Sequence, residues 1–445
     1  MGASEATQGR GDAPPRPRSA ERLGTRAPRH EITDGGRLRV EVVTELADLE
    51  ALSDQWTTLV HTSPLATAYA SPAYILTWYR HFERPGGIYA VTVWHHDQLV
   101  GLAPFARTRI GHPPAAITLL VSAGAEHGDY GDPLLGPDPT PVAHAITDHL
   151  ATLVNHNNTI INLRRLRDDG PTLATIETRD DIAQTPMGQI ADAAVIRLDH
   201  LEDPTTHLKH LAKKHSIPRR LRRLAETHGD ITYQPDDPDH TRALDTMRDM
   251  LQRRWGPHDG PPVFRTPHMD AFTRDTLHNL TTTGFARIAT LTAGTTPVAV
   301  STVLEVGDRQ ISDNAALDPD LARFGPGHAE LYHLLDHAHR SGAREVDLRA
   351  GDFPYKYKWA NSTHRTRSLA LATPGLRHDA MLAARRALMS LRARRLNRLR
   401  DVGVDDRKRR WLLAVAIVVG IAAGDTGATS SMVSHVAMTE LAVAA

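Results

Sequence analysis

The chain has 445 residues, more than the ~250 to 300 over which a single core usually stops growing, so at least two domains are expected. Its 52 basic residues balance 52 acidic ones, and 40% hydrophobic with 23% charged residues is ordinary globular usage, so bulk charge names no partner. The absence of cysteine excludes thiol catalysis, Cys-ligated zinc and disulfides.

Residues 1–37 are rich in Gly, Pro, Arg and Ala, include PPRPR, and lack the apolar core of a secretory signal, so this segment is expected to be disordered. An α/β domain, 38–200, opens with the strand pattern RLRVEVV and a helical segment ELADLEALSDQWTTLV. A second helix is expected to start after Ser71, a good N-cap, with Pro72 at the first helical position. Tyr74, Trp78 and Phe82 then form a stripe expected to be core. IYAVTVWHHDQLVGLAPFARTRI reads as two antiparallel strands joined at His96 to Gln98. ITLLVSA and TIINLRRL read as strands, separated by the turn-rich AEHGDYGDPLLG and a helix PVAHAITDHLATLV.

From Thr205 to His228 runs a basic helical segment with Lys209, Lys213, Lys214, Arg219, Arg220, Arg222 and Arg223, broken or kinked at Pro218. Such a run fits a solvated face or the docking of an anion. Helices are expected near 237–255 and 267–283, then three strands, FARIATLTA, PVAVSTVLEV and RQISDNAAL, forming an antiparallel meander through tight connections. A helix at 325–341, the strand REVDLRA, the loop GDFPYKYKWANS and a last strand RSLALAT complete a second half, 201–375, that resembles the first in outline.

The loop between the meander and the long helix is DPDLARFGPGHAELYHLL. A helix start offers unpaired N–H groups and partial positive charge suited to a pyrophosphate. Gly325 and Gly327 would allow close approach of phosphate oxygens and Arg323 would add a charged donor. An ordinary Gly/Pro loop reads the same way. His333 and His337 lie four apart on that helix, yet no HExxH motif is present and coincidence is expected among 26 histidines, so no metal is expected. The chain has no Walker loop, no Rossmann GxGxxG after a strand and no Gly-x-Ser-x-Gly elbow, which removes the main support for kinase, dehydrogenase and serine hydrolase readings.

Residues 377–410 carry 11 Arg and one Lys against four Asp, with apolar residues near helical spacing. They read as a basic amphipathic helix able to lie on anionic lipid or to pack on the protein. No DNA-reading motif accompanies the charge, and no DNA partner is expected. Trp411 to Gly424 is free of charge but only 14 residues long, short of the ~20 needed to span a bilayer. Segment 376–445 is expected to be this helix and an apolar tail, with peripheral membrane contact through 377–424.

Strand ending at Asp347, then Gly351, Asp352, Tyr355, Lys356 and Trp359, with Pro326 and Gly327 before the long helix, resembles the GNAT acetyltransferase domain of CelD-like proteins, associated with cellulose biosynthesis and related to the FemABX transferases. Trp56 to Phe82, LVGLAPFARTR and HGDYGDPLL with Asp129 and Tyr130 resemble that family's first half, so the likeness extends over 38–375. The RFGPGH loop departs from the fuller Arg/Gln-x-x-Gly-x-Gly/Ala consensus of single-domain GNAT enzymes.

The resemblance implies an α/β (α+β mixed sheet) fold of two tandem GNAT-like acyl-CoA N-acyltransferase domains. It implies an enzyme transferring an acyl group from acetyl-CoA or another acyl-CoA to an amine of a small molecule or cell-envelope precursor, in the cytoplasm or at its membrane. Arg323, Gly325, Gly327 and His328 would hold the acyl-CoA, with Asp313 and Asn314 lining the same cleft. Asp352 would accept the amine proton, Tyr355 would protonate the thiolate, and Lys356 would orient the acceptor or the phosphates, each with a plain structural alternative. A Fem-type transferase using aminoacyl-tRNA, with the basic helix against RNA, and a non-catalytic envelope-polysaccharide accessory protein are the rival readings.

Overall fold

The computed structural model describes residues 30–31, 38–83, 85–110, 116–188, 190–259, 262–351 and 353–374. Asp352, residues 1–29 and 32–37 of the N-terminal segment and the basic helix and apolar tail at 376–445 lie outside the described residues, whereas His30 and Glu31, expected to be disordered, form a short strand because they pair with Val40 and Arg39.

The strands are β1 (His30–Glu31), β2 (Leu38–Val43), β3 (Ile88–His95), β4 (Gln98–Ile110), β5 (Ile117–Ser122), β6 (Leu134–Leu135), β7 (Thr159–Arg167), β8 (Ala183–Pro186), β9 (Ala191–Arg197), β10 (Ile231–Gln234), β11 (Ala286–Ala293), β12 (Thr296–Val306), β13 (Arg309–Leu317), β14 (Glu345–Ala350) and β15 (Ser362–Ala372). The helices are α1 (Leu46–Glu50), α2 (Ser53–Thr62), α3 (Pro72–Phe82), α4 (Pro139–His156), α5 (Pro171–Glu177), α6 (Pro204–Lys214), α7 (Ile217–His228), α8 (His240–Asp259), α9 (Pro267–Thr282) and α10 (Pro326–Arg340).

One mixed sheet runs β1-β2-β3-β4-β5-β7-β15-β9-β14-β13-β12-β11-β10, with β6 on β4 and β8 on β15. Each half repeats one plan: antiparallel strands, then a parallel pair joined through a helix, β5 with β7 over α4 and β13 with β14 over α10. Such a parallel connection needs a crossover element, which is why a long helix falls between those strands. The halves then exchange strands. β9 of the first half pairs with β14, and β15 of the second half pairs with β7, so the sheet is continuous across the centre.

The core is continuous too. Trp56, Trp78, Tyr79 and Phe82 pack in one cluster with Phe272, Phe285 and Leu304 of the second half. At its rim Asn279 Nδ2 donates to Thr77 Oγ1 at 2.8 Å and His81 Nε2 meets Asp275 Oδ2 at 2.8 Å. A second cluster beneath α10 gathers α6, α7 and Trp359.

The Ser71 cap stands as expected: its side chain accepts from Tyr74 N, and Tyr74, Trp78 and Phe82 are buried. In the basic segment the break falls at His215 and Ser216, where Ser216 adopts φ 57°, and Pro218 sits in the first turn of α7. A proline there has no intrahelical N–H partner to lose, so it begins a helix rather than kinking one. β15 starts at Ser362, five residues before RSLALAT, because its first part pairs with β9 and only its second part reaches β7.

Candidate functional site

β13 and β14 are in parallel register from Arg309 opposite Glu345 to Ile311 opposite Asp347, and no pairing continues beyond, although β13 runs on to Leu317 and β14 to Ala350. The two strands part there. Each carries one extra residue beside the gap. On β13, Thr302 faces Asn314 but Val303 faces Ser312, so Asp313 is bulged. On β14, Asp347 faces Val195 but Ala350 faces Ala193, so an extra residue is taken up at Leu348 and Arg349, and Arg349 adopts φ 65°. β7 carries a third irregularity against β15, where Arg165 adopts φ 53° and its N–H donates to Ser368 Oγ at 3.0 Å. Bulges re-aim side chains out of the pleat.

The three bulged residues meet. Arg349 Nη1 donates to the Asp313 carbonyl at 2.5 Å and to Asp313 Oδ1 at 2.8 Å, and Arg349 Nε donates to Asp129 Oδ2. Arg165 Nη1 donates to Asp129 Oδ1 at 2.5 Å. Tyr69 OH donates to Asp313 Oδ1 at 2.5 Å, and Asn314 Nδ2 to Asp313 Oδ2 at 2.6 Å. Beside them Tyr130 OH donates to Asp347 Oδ2 and lies 2.7 Å from His364 Nε2. Burial holds the Tyr69 and Tyr130 hydroxyls well above the ordinary tyrosine range, so both remain donors, while burial keeps His364 below the usual histidine range. Residues from both halves thus build one buried polar network at the parting of the sheet.

The start of α10 packs against the end of β13. Gly325 is its cap in the left-handed region, φ 63°, and a Cβ there would lie 2.1 Å from Arg220 Nη1, so Arg220 of α7 rests against the helix start. A Cβ on Gly327 would meet Leu317 Cδ1 at 2.9 Å, which lets α10 sit close on β13. His328 is stacked on His215 with centroids 4.5 Å apart, and its Nδ1 accepts from Trp359 Nε1 at 3.1 Å, which leaves the ring proton on Nε2. Burial, then the charges of His215, Arg220 and Lys358, push its pKa down to about 4. Arg323 is exposed, lying over the Phe324 ring at 4.8 Å, and Arg253 holds the loop by Asp318 at 3.0 Å and Asp320 at 2.9 Å.

The expected site residues therefore divide. Arg323, Gly325, Gly327, His328 and Tyr355 gather at the α10 start, Tyr355 being 46% exposed with its ring 6.5 Å from His328. Asn314 belongs to the buried network. Lys356 is buried, its Nζ donating to the carbonyls of Arg349 at 3.1 Å and Ala350 at 3.3 Å, and burial lowers its pKa, whereas Lys358 is exposed. Asp129, Tyr130 and Asp347, quoted from the family pattern, lie in the network. Tyr69, Arg165, Arg349 and His364 were not singled out by sequence. Among the described residues no group of three or more His, Asp and Glu is arranged to hold a metal ion.

Glu330, on α10, is 4% exposed with Oε1 unpartnered, and burial raises its pKa from 4.5 to about 7. Because the folded value exceeds the unfolded one, the penalty is absent below about pH 4.5, grows as pH rises and is complete above about pH 7. Urea unfolding of Glu330→Gln against wild type should therefore show the variant gaining about 3 kcal/mol between pH 4.5 and 7.5. A difference independent of pH would contradict this.

The model of the Acetyltransferase (GNAT) domain matches residues 212–357. The crystal structure of FemX superimposes with TM-score 0.50 at 10% identity, covering 72% of this chain and 95% of FemX. The C-terminal domain of a putative lysylphosphatidylglycerol synthetase from Agrobacterium fabrum aligns at TM-score 0.47 and 12% identity, over 77% of this chain and 96% of that one. A tandem GNAT protein from the clavulanic acid biosynthesis pathway aligns at TM-score 0.40 and 12% identity, over 76% and 99%. No curated protein matches the chain. Residues 212–357, from α6 through the loop after β14, thus match the model of a GNAT acetyltransferase domain, within a mixed α/β chain whose fold is similar to that of FemX.

Proposed function

We propose that the protein is an acyl-CoA-dependent N-acyltransferase, with the donor at the parting of β13 and β14 and the acceptor amine in the cleft between the halves. The observation that carries this reading is that a glycine-lined helix start beside Arg220 and Lys358 packs on the end of β13, the strand whose bulged Asp313 belongs to the buried donor and carboxylate network. The cations suit the phosphates of the donor. In the reaction the amine nitrogen bonds to the acyl carbon, the carbon–sulfur bond breaks, a carboxylate takes the amine proton and the thiolate takes a proton in turn. Asp347, which lines the cleft beside Tyr130, and Asp352 are the candidate bases. Tyr355, beside His328, is the candidate proton donor to sulfur, and Lys356 holds the β14 loop by its carbonyls. The domain division 38–200 and 201–375 assigns acceptor surface to the first half and donor site to the second. The CelD-like resemblance favours an envelope precursor as acceptor.

A specific observation favours a second reading, a Fem-type aminoacyl-tRNA donor. Lys209, Lys213, Lys214, Arg219, Arg222 and Arg223 are exposed along α6 and α7, and none forms an ion pair with another described residue. Such a surface suits a nucleic-acid backbone. The test is thiol release from acetyl-CoA over a panel of amines. Release that requires both enzyme and amine is the expected result; no release with any amine would overturn the acyl-CoA reading. Among the described residues no helix is long and apolar enough to cross a membrane.

A further inference from the structure

Among the described residues five large hydrophobic side chains are exposed, and three of them, Phe353, Tyr355 and Tyr357, fall in the loop after β14. The loop is anchored at both ends. Lys356 is buried with Nζ on the carbonyls of Arg349 and Ala350, and Trp359 is 1% exposed. A fourth exposed ring, Trp255, stands on α8 just before Gly256, which adopts φ 70°. Exposed rings on an anchored backbone mark a contact surface.

Neighbouring contacts place these rings on one face. The Phe353 and Tyr355 centroids are 6.3 Å apart, and Tyr355 lies 6.5 Å from His328 at the start of α10. Burial raises the Tyr355 pKa, Glu330 adds to the rise, and Arg254 opposes it, its guanidinium lying 5.1 Å over the Trp255 ring. Arg253 ties the same end of α8 to the loop before α10 through Asp318 and Asp320. His215, between α6 and α7, stacks on His328 and Trp359, so the corner of the two basic helices adjoins the aromatic loop. From that corner extend Lys209, Lys213, Lys214, Arg219, Arg222 and Arg223, exposed cations with no acidic partner among the described residues.

Rings beside unpaired cations have two complements, a nucleic acid and an anionic bilayer, and the rings decide between them. A nucleobase stacks on an open ring face, but Arg254 lies over Trp255 and Lys356 Nζ lies 5.1 Å over Phe353. A headgroup layer takes apolar ring edges surrounded by cations, as in interfacial aromatic belts and polybasic patches. The chain's own segment 377–410, with 11 Arg and one Lys against four Asp, has the same sign as this face and does not complement it.

We propose that this face, Trp255 and Phe353 with the exposed cations of α6 and α7, docks the protein on an anionic lipid bilayer. Tyr355 and His328 share the face, so docking would present the start of α10 to the headgroups. Docking requires neither acyl-CoA nor amine and is independent of the proposed reaction.

The test is co-sedimentation of the full chain, at ~0.1 M salt, with vesicles of phosphatidylglycerol and phosphatidylcholine in equal parts and with phosphatidylcholine alone. The mixed vesicles should bind it and the neutral ones should not. Trp255→Ser with Phe353→Ser should weaken binding about tenfold or more, because two rings no longer leave water. Trp255→Tyr with Phe353→Tyr should keep most of it. Lys213→Glu with Arg219→Glu and Arg222→Glu should weaken it about 100-fold or more. All five positions are exposed, so the urea midpoint should not move, and either set carries the test if the other does not fold. No binding to mixed vesicles, equal binding to neutral ones, or binding untouched by either set would each overturn the proposal. So would titration with bulk tRNA in which the serine pair weakens RNA binding as much as vesicle binding.

Discussion

Replacing Arg349 with methionine is expected to lower the stability of the protein by about 3 to 5 kcal/mol, the usual cost of removing one partner from a buried charge cluster. Arg349 is the hub of the central network, bonded to Asp129 of the first half and to Asp313 of the second, and its side chain is 20% exposed. Methionine fills much of the same volume but leaves both carboxylates facing each other without that cation. Arg165 still meets Asp129, while Asp313 retains only the neutral donors Tyr69, Asn314 and Thr302. Lysine should recover part of the loss, because it restores the charge without the fork that reaches both carboxylates at once. The measurement is the urea midpoint at constant slope. A loss under about 1 kcal/mol would mean that the network does not hold the halves together as drawn.

Reversing Arg220 and Lys358 together to glutamate should weaken acetyl-CoA binding by about 100-fold or more, since each replaces a charged hydrogen-bond donor worth roughly 1.5 to 3 kcal/mol by a repelling charge. Stability should change little. Neither side chain forms an ion pair with a described residue, and Lys358 is exposed, so no buried partner is abandoned. The same double variant carries an internal control. Arg220 and Lys358 are two of the charges that push His328 down to about 4, so their reversal should raise its pKa, read by NMR titration of the imidazole. Unchanged affinity with a raised His328 pKa would place the donor elsewhere.

Much of the second half was legible from its sequence, for reasons of period and punctuation. β11, β12 and β13 are separated by two-residue connections whose glycines, Gly294 and Gly307, take positive φ. α10 is announced by Gly325 and Pro326, and α3 by Ser71 and Pro72. The central network was legible only in pieces. Its acids and one tyrosine come through the family pattern, but Arg165 and Arg349 reach it by adopting positive φ, a region that side-chain-bearing residues rarely enter and that no composition marks. Tyr69 lies 244 residues from its partner Asp313. No local signal spans that distance. The strand exchange was hidden for the same reason: ADAAVIR and STHRTRSLALA look like ordinary strands, and which half each joins is decided by pairing across the whole sheet. Two glycines illustrate the difference between chemistry and packing. Sequence gave Gly325 and Gly327 one role in phosphate approach, whereas a Cβ on the first would meet a cation and a Cβ on the second would meet Leu317.

The central claim, that the parting of β13 and β14 beneath the start of α10 binds an acyl-CoA, is tested most directly by thermal unfolding of the full chain with acetyl-CoA and, separately, with aminoacyl-tRNA. At about 100 times its dissociation constant a ligand bound only by the folded state adds ~2.7 kcal/mol. The account predicts a rise in melting temperature with acetyl-CoA that the Arg220→Glu, Lys358→Glu variant loses, and no comparable rise with tRNA. Stabilisation by aminoacyl-tRNA alone, or by neither, would contradict it.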